Sequence, residues 1–256
     1  MNLDVQLSCS AKPLSFRGGE VKRLALVLAL TGSACASDGR GSMGGPPLRP
    51  TANPSAVVAA ELGFSQLAQD KGQWTAFRAT AAPGAEMFVP ERAKAADWLK
   101  GRADPSVPVK WQAYEVWSSC DGSHAVTRGR WERPGSAGTF VTVWQRQKDG
   151  KQKWLLDMSL ADDRPSAPPE MVAARVADCG KSPQQIAALA AADAALLASG
   201  AAAAAGGERE TVLGGAADTT LTWESSALAG VRRFKVRLWN GAGFETVVEA
   251  TSRGIR

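Results

Sequence analysis

The sequence predicts an α+β protein, in which a group of helices precedes an antiparallel sheet. Apolar residues recur at helical spacing between residues 53 and 99, and four runs of alternating apolar and polar residues follow between residues 109 and 158. Three further alternating runs lie near the C-terminus. Helices that come before the strands are typical of the α+β class, because an α/β chain would alternate the two.

The N-terminus has the pattern of a bacterial export signal behind a short extension. Lys22 and Arg23 precede seven apolar residues, 24–30, and then a segment of small residues. Val21 can be encoded by an alternative bacterial start codon, so residues 1–20 are interpreted as a spurious extension. Export would place the mature protein in the periplasm.

Two processing routes are compatible with the end of this signal. Cleavage after Ala36 would remove residues 1–36 and release a soluble protein. Alternatively, Cys35 carries a lipid anchor, although Gly32 stands where a bacterial lipoprotein signal normally has an aliphatic residue. A flexible tether rich in Gly, Ser and Pro is predicted over residues 37–52.

Three helices are predicted ahead of the main group of strands. The first begins after Asn53 and ends at Lys71-Gly72. Its apolar stripe consists of Val57, Ala60, Phe64, Leu67 and Ala68. The elements that follow are a helix over Gln73–Thr80, a short strand over Ala85–Val89 and a helix over Pro90–Leu99.

Four strands joined by short turns are predicted between Val109 and Met158. The turns are marked by Asp121-Gly122, Pro134-Gly135 and Asp149-Gly150. Five of the nine tryptophans fall in this stretch, and they are Trp111, Trp117, Trp131, Trp144 and Trp154. So many large apolar side chains on alternating positions indicate a sheet with at least one buried face.

The C-terminal part is predicted to be a linker followed by a β-rich appendage. The linker covers residues 161–180 and includes a short helix over Glu170–Ala177. The appendage, residues 181–256, begins with an alanine-rich helix over Gln184–Ser199. Its three-stranded meander consists of Thr219–Glu224, Val231–Asn240 and Phe244–Ala250. Because so small a meander is marginal alone, we expect it to pack on the rest of the chain.

The cysteines predict one disulfide. Cys9 and Cys35 fall in segments that are expected to be removed or lipidated, which leaves Cys120 and Cys179 as an even pair in an oxidising compartment. A bond between them would close a loop of about 60 residues and contribute about 3–4 kcal/mol. Two buried free thiols are the alternative.

The charge of the chain gives little support to a nucleic-acid partner. The net charge is +5, and the dense basic run Arg232–Arg237 alternates like the exposed side of an edge strand. No segment after residue 36 is long and apolar enough to span a bilayer. The sequence has no cofactor-binding motif, and its one histidine and its cysteines lack the spacing of metal ligands. Neither a cofactor nor a metal is therefore expected.

Glu115 is the candidate catalytic residue. On a regular strand it shares a face with Trp111 and Trp117, and this face is expected to be covered by the helices. Burial among tryptophans would raise the pKa of the carboxyl group, which suits a general acid or base. The alternative is that Glu115 is either solvated or paired with an arginine such as Arg128 or Arg146.

An aromatic ligand pocket is predicted on the same face of the sheet. Its expected lining is Trp111, Glu115, Trp131, Thr142 and Trp144. Asp157 alternates opposite Trp154, so it is expected to face solvent or a partner. His124 follows a turn and is expected to be exposed.

Four segments carry a resemblance to a known superfamily. They read AELGFSQLAQDKGQWTAF, MFVPERAKAADWL, AVTRGRWE and GTFVTVWQRQKDGKQKWLLD. In this order they resemble the SnoaL-like branch of the nuclear transport factor 2 superfamily, over residues 53–160. The resemblance implies a cone of helices packed into a strongly curved antiparallel sheet, with a pocket at the open end.

Three functions follow as expectations, because members of that superfamily include enzymes, binding modules and dimerisation domains. The favoured one is an exported, non-catalytic module that binds a small apolar molecule. The second is an enzyme that uses Glu115 for proton transfer or hydrolysis. The third is a structural, envelope-associated homodimer that pairs through the sheet.

Overall fold

The computed structural model of the protein describes residues 52–89, 91–161, 169–180, 185–188, 191, 210–228 and 231–253. The predicted extension, export signal and nearly all of the tether lie outside these residues, as do Cys9 and Cys35. Of the predicted alanine-rich helix, residues 185–188 and 191 are helical, and the others lie outside the described part. In the described part, no helix is both long and apolar enough to cross a membrane.

The α+β class is confirmed. In chain order the elements are α1 (Pro54–Lys71), α2 (Gln73–Thr80), β1 (Ala81–Phe88), β2 (Arg92–Lys94), α3 (Ala95–Trp98), β3 (Lys110–Ser118), β4 (His124–Arg133), β5 (Ser136–Arg146), β6 (Gln152–Ala161), β7 (Ala173–Val176), β8 (Glu210–Gly215), β9 (Leu221–Leu228), β10 (Val231–Trp239) and β11 (Phe244–Arg253).

The strands form two sheets. The larger has seven strands in the order β2-β1-β6-β5-β4-β3-β7, and the smaller has four in the order β11-β10-β9-β8. In the larger sheet β1 pairs parallel with β6 and β7 pairs parallel with β3, whereas the remaining pairs are antiparallel. The smaller sheet is antiparallel throughout.

Three local expectations were wrong. The linker segment around Ala173–Val176 is a strand and not a helix, because its backbone completes the open edge of β3. The segment predicted as a third helix instead begins with β2, and only Ala95–Trp98 is helical. The C-terminal sheet has a fourth strand, Glu210–Gly215, whose Gly214 lies against the ring of Trp223.

The ends of α1 and the start of α2 are determined by nearby residues in the sequence and by Asp104. The side chain of Asn53 accepts a hydrogen bond from the backbone N–H of Ala56 and caps α1. Gly72, at a φ of 103°, separates α1 from α2, and its missing side chain leaves room for Asp104. The carboxylate of Asp104 accepts hydrogen bonds from the backbone N–H groups of Trp74 and Thr75 at the start of α2.

The helices pack on one face of the larger sheet, which we call the helix-covered face. The buried residues of this layer are Val57, Phe64, Ala68, Ala76, Phe77, Ala85, Met87, Ala95, Leu99, Val116, Ala125, Trp144 and Trp154. Aromatic rings meet edge to face across it, as in Phe64 with Phe77, whose centroids lie 4.8 Å apart.

The smaller sheet packs on the opposite face of the larger one. Among the buried residues that join them are Trp117, Val143 and Met158 on the larger sheet, and Phe234 and Leu238 on the smaller. The predicted disulfide between Cys120 and Cys179 is confirmed, with Cα atoms 5.5 Å apart. The backbone N–H of Cys120 also donates to the hydroxyl of Thr220, at 2.9 Å. The appendage is therefore docked, as expected for a small sheet.

Two β-bulges reverse the faces of the residues that follow them. The register of β3 shifts between Ala113 and Glu115, and that of β6 shifts between Trp154 and Leu156. Each bulge adds one residue, so later side chains alternate in the opposite phase from a regular strand. Trp117 and Leu156 consequently face the smaller sheet, and not the helices.

Candidate functional site

A cavity of about 280 Å³ lies at the helix-covered face. Its apolar wall contains six aromatic side chains, which are Phe64, Phe77, Phe88, Trp111, Trp131 and Phe140. Val89 and Val109 complete that wall. The polar lining residues are Gln73, Arg133, Thr142, Asp157, Ser159 and Arg232. Such a predominantly aromatic lining with a few polar groups is typical of small-molecule sites.

Glycines on neighbouring strands leave space for the aromatic wall. A Cβ atom on Gly129 would lie 2.4 Å from the ring of Phe140, and one on Gly138 would lie 2.8 Å from the ring of Trp131. The indole N–H of Trp131 donates to the backbone carbonyl of Thr139 at 3.0 Å, which fixes its ring. These two rings are therefore held in place by the sheet itself.

Asp157 is the one carboxylate that lines the cavity among the described residues. Its side chain accepts a hydrogen bond from the hydroxyl of Thr142 at 2.9 Å, and the residue is 8% exposed. Burial raises the pKa of Asp157 to about 7; the Thr142 hydrogen bond opposes the rise, and the charge of Glu61 adds to it. A carboxyl group with a pKa near neutrality can both accept and donate a proton.

Glu61 is a second buried acid, behind the cavity wall. Its carboxylate accepts hydrogen bonds from the indole N–H of Trp111 at 2.9 Å, the indole N–H of Trp144 at 3.0 Å and the hydroxyl of Thr127 at 2.6 Å. Burial raises the pKa of Glu61, and the three hydrogen bonds oppose the rise. Glu61 therefore positions Trp111, which lines the cavity, and it links α1 to the sheet.

Arg232 enters the cavity lining from β10 of the smaller sheet. It is 7% exposed, and one Nη atom lies 3.4 Å from the carbonyl oxygen of Phe88 and 3.5 Å from that of Ser159. Burial lowers the pKa of its guanidinium, and the charge of Glu91 opposes this change. The basic run Arg232–Arg237 was interpreted as the solvent-exposed side of an edge strand. This was wrong, because β10 lies between β9 and β11 and Arg232 is buried.

The structure brings together only part of the predicted pocket. Trp111, Trp131 and Thr142 line the cavity. Trp144 is 1% exposed and lies in the core behind it, where it donates to Glu61. Glu115 is not among the lining residues, because the bulge in β3 turns it to the other face.

Glu115 instead forms an ion pair with Arg128, one of the two arginines that the sequence analysis named as possible partners. Its carboxylate accepts a hydrogen bond from Nε of Arg128 at 2.6 Å. The expectation that Asp157 faces solvent or a partner was wrong, since the bulge in β6 turns it into the cavity. His124 is also not exposed as expected, because it packs against Trp223 with ring centroids 5.3 Å apart.

The sequence analysis did not single out the buried charges of Glu61 and Arg232, although the sequence carries a signal for both. Glu61 falls on the apolar stripe of α1, in phase with Val57, Phe64 and Ala68. Arg232 is likewise in phase with the inward apolar residues of β10. A charged residue in phase with an apolar stripe is expected to be buried, and a buried charge is unfavourable unless it is paired or hydrogen-bonded.

Among the described residues, no cluster of three or more His, Cys, Asp or Glu side chains could hold a metal ion.

Comparison with known proteins gives matches to solved structures only. No protein-family model matches the sequence, and no curated protein does. A Kribbella flavida protein assigned as a ketosteroid isomerase is 16% identical, with a TM-score of 0.32, over 46% of this chain and 86% of that one. An NTF-2-like protein of unknown function from Silicibacter pomeroyi is 14% identical, with a TM-score of 0.33, over 43% of this chain and 99% of that one.

An epoxide hydrolase from M. tuberculosis also matches. It is 15% identical, with a TM-score of 0.30, over 44% of this chain and 82% of that one. Likenesses at these levels concern the fold alone and assign neither a ligand nor a reaction to this chain.

Proposed function

We propose that this protein is an exported module that binds a small, largely apolar molecule in the aromatic cavity. The observation that supports this most directly is the cavity itself, about 280 Å³ in volume and surrounded by six aromatic side chains. Transfer of apolar surface from water into such a site is favourable, by about 25 cal/mol per Å². Two of the rings, Phe140 and Trp131, are held by close contacts with the sheet, so little side-chain entropy is lost on binding.

Calorimetric titration with 2-naphthalenemethanol, a neutral bicyclic compound, tests this proposal. We expect saturable binding to the wild-type protein and a loss of about tenfold or more in affinity for Trp131→Ala, because the ring supplies a large share of the apolar wall. Trp98→Ala is the matched control, since Trp98 packs against Trp74 and Arg102 and is not a lining residue. Absence of binding by the wild type would overturn the proposal.

A second candidate function is proton transfer by Asp157, favoured by one specific observation. Its carboxyl group lies in the cavity wall with a hydrogen bond from the Thr142 hydroxyl, and its pKa of about 7 leaves both protonation states populated near neutral pH. This residue replaces Glu115 as the candidate acid or base, since Glu115 is paired with Arg128. A fitting reaction is removal of a proton from carbon beside a carbonyl group in an apolar ketone.

Deuterium exchange into 2-tetralone, followed by NMR in D2O, distinguishes the enzyme from the binding module. A catalytic protein would accelerate exchange, Asp157→Asn would abolish the acceleration, and Glu115→Gln would retain it. Because asparagine has nearly the shape of aspartate, loss of activity would report the lost proton acceptor and not a changed cavity. Exchange at the background rate with the wild-type protein would leave the non-catalytic module as the function.

The proposed location is the periplasm, and the Cys120–Cys179 bond supports an oxidising compartment. Mass spectrometry of protein recovered from periplasm should find a mature N-terminus at Ser37, whereas a lipid on Cys35 would indicate the anchored alternative. The smaller sheet covers one face of the larger, which counts against a homodimer that pairs through that face. Sedimentation of a monomer at micromolar concentration would agree.

A further inference from the structure

Arg232 is the one arginine of the C-terminal sheet that lines the aromatic cavity among the described residues. It alternates in phase with Phe234, Val236 and Leu238, which are buried between the two sheets. The cavity is consequently made by both parts of the chain: the helices and larger sheet supply the aromatic wall, and the appendage supplies a positive charge.

The hydrogen-bonding capacity of this guanidinium is incompletely used. The Nε atom of Arg232 is buried and has no hydrogen-bond partner, and its two backbone contacts are long, at 3.4 and 3.5 Å. None of the ion pairs found among the described residues includes Arg232. A buried charge in this condition is unfavourable, and the addition of an anion would relieve it.

The nearby Arg92 provides a direct contrast. It donates to the carboxylate of Glu86 at 2.7 Å and to the carbonyl and hydroxyl oxygens of Ser225. Arg92 is therefore satisfied within the protein and holds the two sheets together. Arg232 makes no comparable set of contacts, although it is buried and lines the cavity.

We infer that Arg232 recognises the carboxylate of an otherwise apolar ligand whose body occupies the aromatic cavity. This inference rests on the proposed binding function and specifies its ligand class. Guanidinium binds carboxylate through parallel N–H donors, so the free Nε and the weakly bound Nη1 are suited to it.

The other charged groups at the cavity are compatible with an anion. Arg133 lies at the rim, exposed, with its guanidinium 5.8 Å from the ring of Trp131, and adds positive charge. Because burial raises the pKa of Asp157 to about 7, its carboxyl is largely protonated at pH 6 and repels an anion little. Glu91 acts on Arg232 only as a nearby charge.

A matched pair of compounds tests the inference. The carboxylate is 2-naphthoate, the neutral compound is 2-naphthalenemethanol, and both are titrated calorimetrically at pH 6 into the full-length protein. We expect the wild type to bind the carboxylate about tenfold or more tightly than the alcohol. Arg232→Gln should lose this preference and keep its affinity for the alcohol. Arg232→Lys should retain part of it.

The control is Arg233→Gln on the same strand, because Arg233 is exposed and points away from the cavity. It should keep the full preference. Equal wild-type affinity for both compounds, or a preference that survives Arg232→Gln, would overturn the inference and leave the binding function standing. Equal weakening of both compounds by Arg232→Gln would make the residue structural and would also overturn it. No binding of either compound would instead overturn the proposed function.

Discussion

Replacing Asp157 by asparagine should stabilise the protein at pH 8 much more than at pH 4. The change removes the negative charge, and asparagine can still accept the hydrogen bond from Thr142 through its amide oxygen. Burial raises the pKa of Asp157 in the folded protein to about 7, from an ordinary value of 3.8. The folded protein therefore holds a proton that the unfolded chain releases at lower pH.

The sign and size follow from this difference in pKa. The stabilising contribution of the protonated carboxyl is fully present below pH 3.8 and is lost as the pH rises to about 7. Each pKa unit corresponds to about 1.4 kcal/mol, so ionisation of Asp157 at pH 8 costs the folded protein about 4 kcal/mol. The stability difference between Asp157→Asn and wild type should accordingly grow by about 4 kcal/mol between pH 4 and pH 8.

Urea unfolding of both proteins at pH 4, 6 and 8, without reductant, measures the difference directly. Every other ionisable group is common to the two proteins, so the wild type measured at the same pH is the control for the variant. About two thirds of the growth should already be present at pH 6. A difference that stays constant over this range, or a variant that is less stable than wild type at pH 8, would refute the argument that burial in the cavity wall penalises the charge.

Three further changes have expected effects on stability, each measured by urea unfolding. Glu61→Gln should lower the unfolding free energy by about 2 kcal/mol. Both carboxylate oxygens of Glu61 accept hydrogen bonds, from Trp111 on one and from Thr127 and Trp144 on the other, whereas the NH2 group of glutamine cannot accept one. An unchanged unfolding midpoint would contradict this network. Replacing Cys120 and Cys179 together by serine should cost about 3–4 kcal/mol through the loop they close, and a loss below about 1 kcal/mol would mean that packing alone holds the appendage. Gly63→Ala should stabilise α1 by about 0.5–1 kcal/mol, since no atom lies within 4 Å of the added Cβ, and a loss of stability would contradict that open environment.

Patterns within one element predicted much of the fold. The boundaries of α2 agree with the sequence interpretation, as does the position of the four central strands, because short-range periodicity and turn residues determine them. The pairing of Cys120 with Cys179 also followed from elimination and compartment. The strand β7 could not be predicted in this way, because an exposed segment forms a strand only where a partner edge is available.

The candidate site was less predictable, for a single physical reason. Two bulges, one in β3 and one in β6, exchange the faces of Glu115 and Asp157. Alternation assigns faces correctly only while the phase is kept, and no turn residue marks either bulge in the sequence. The acid expected in the pocket therefore lies outside it, and the acid expected at the surface lines the cavity.

The parallel pairing of β7 on β3 has a consequence for how the protein behaves in concentrated solution. An exposed strand edge offers unpaired N–H and C=O groups to other chains and invites aggregation. The larger sheet ends in two very short strands, β2 with three residues and β7 with four, whereas β3 beneath β7 has nine. Because Cys179 follows β7 and is bonded to Cys120 at the end of β3, the disulfide keeps this cover in place. Reduction would free β7 to detach, and the long edge of β3 would then be open to pairing between molecules.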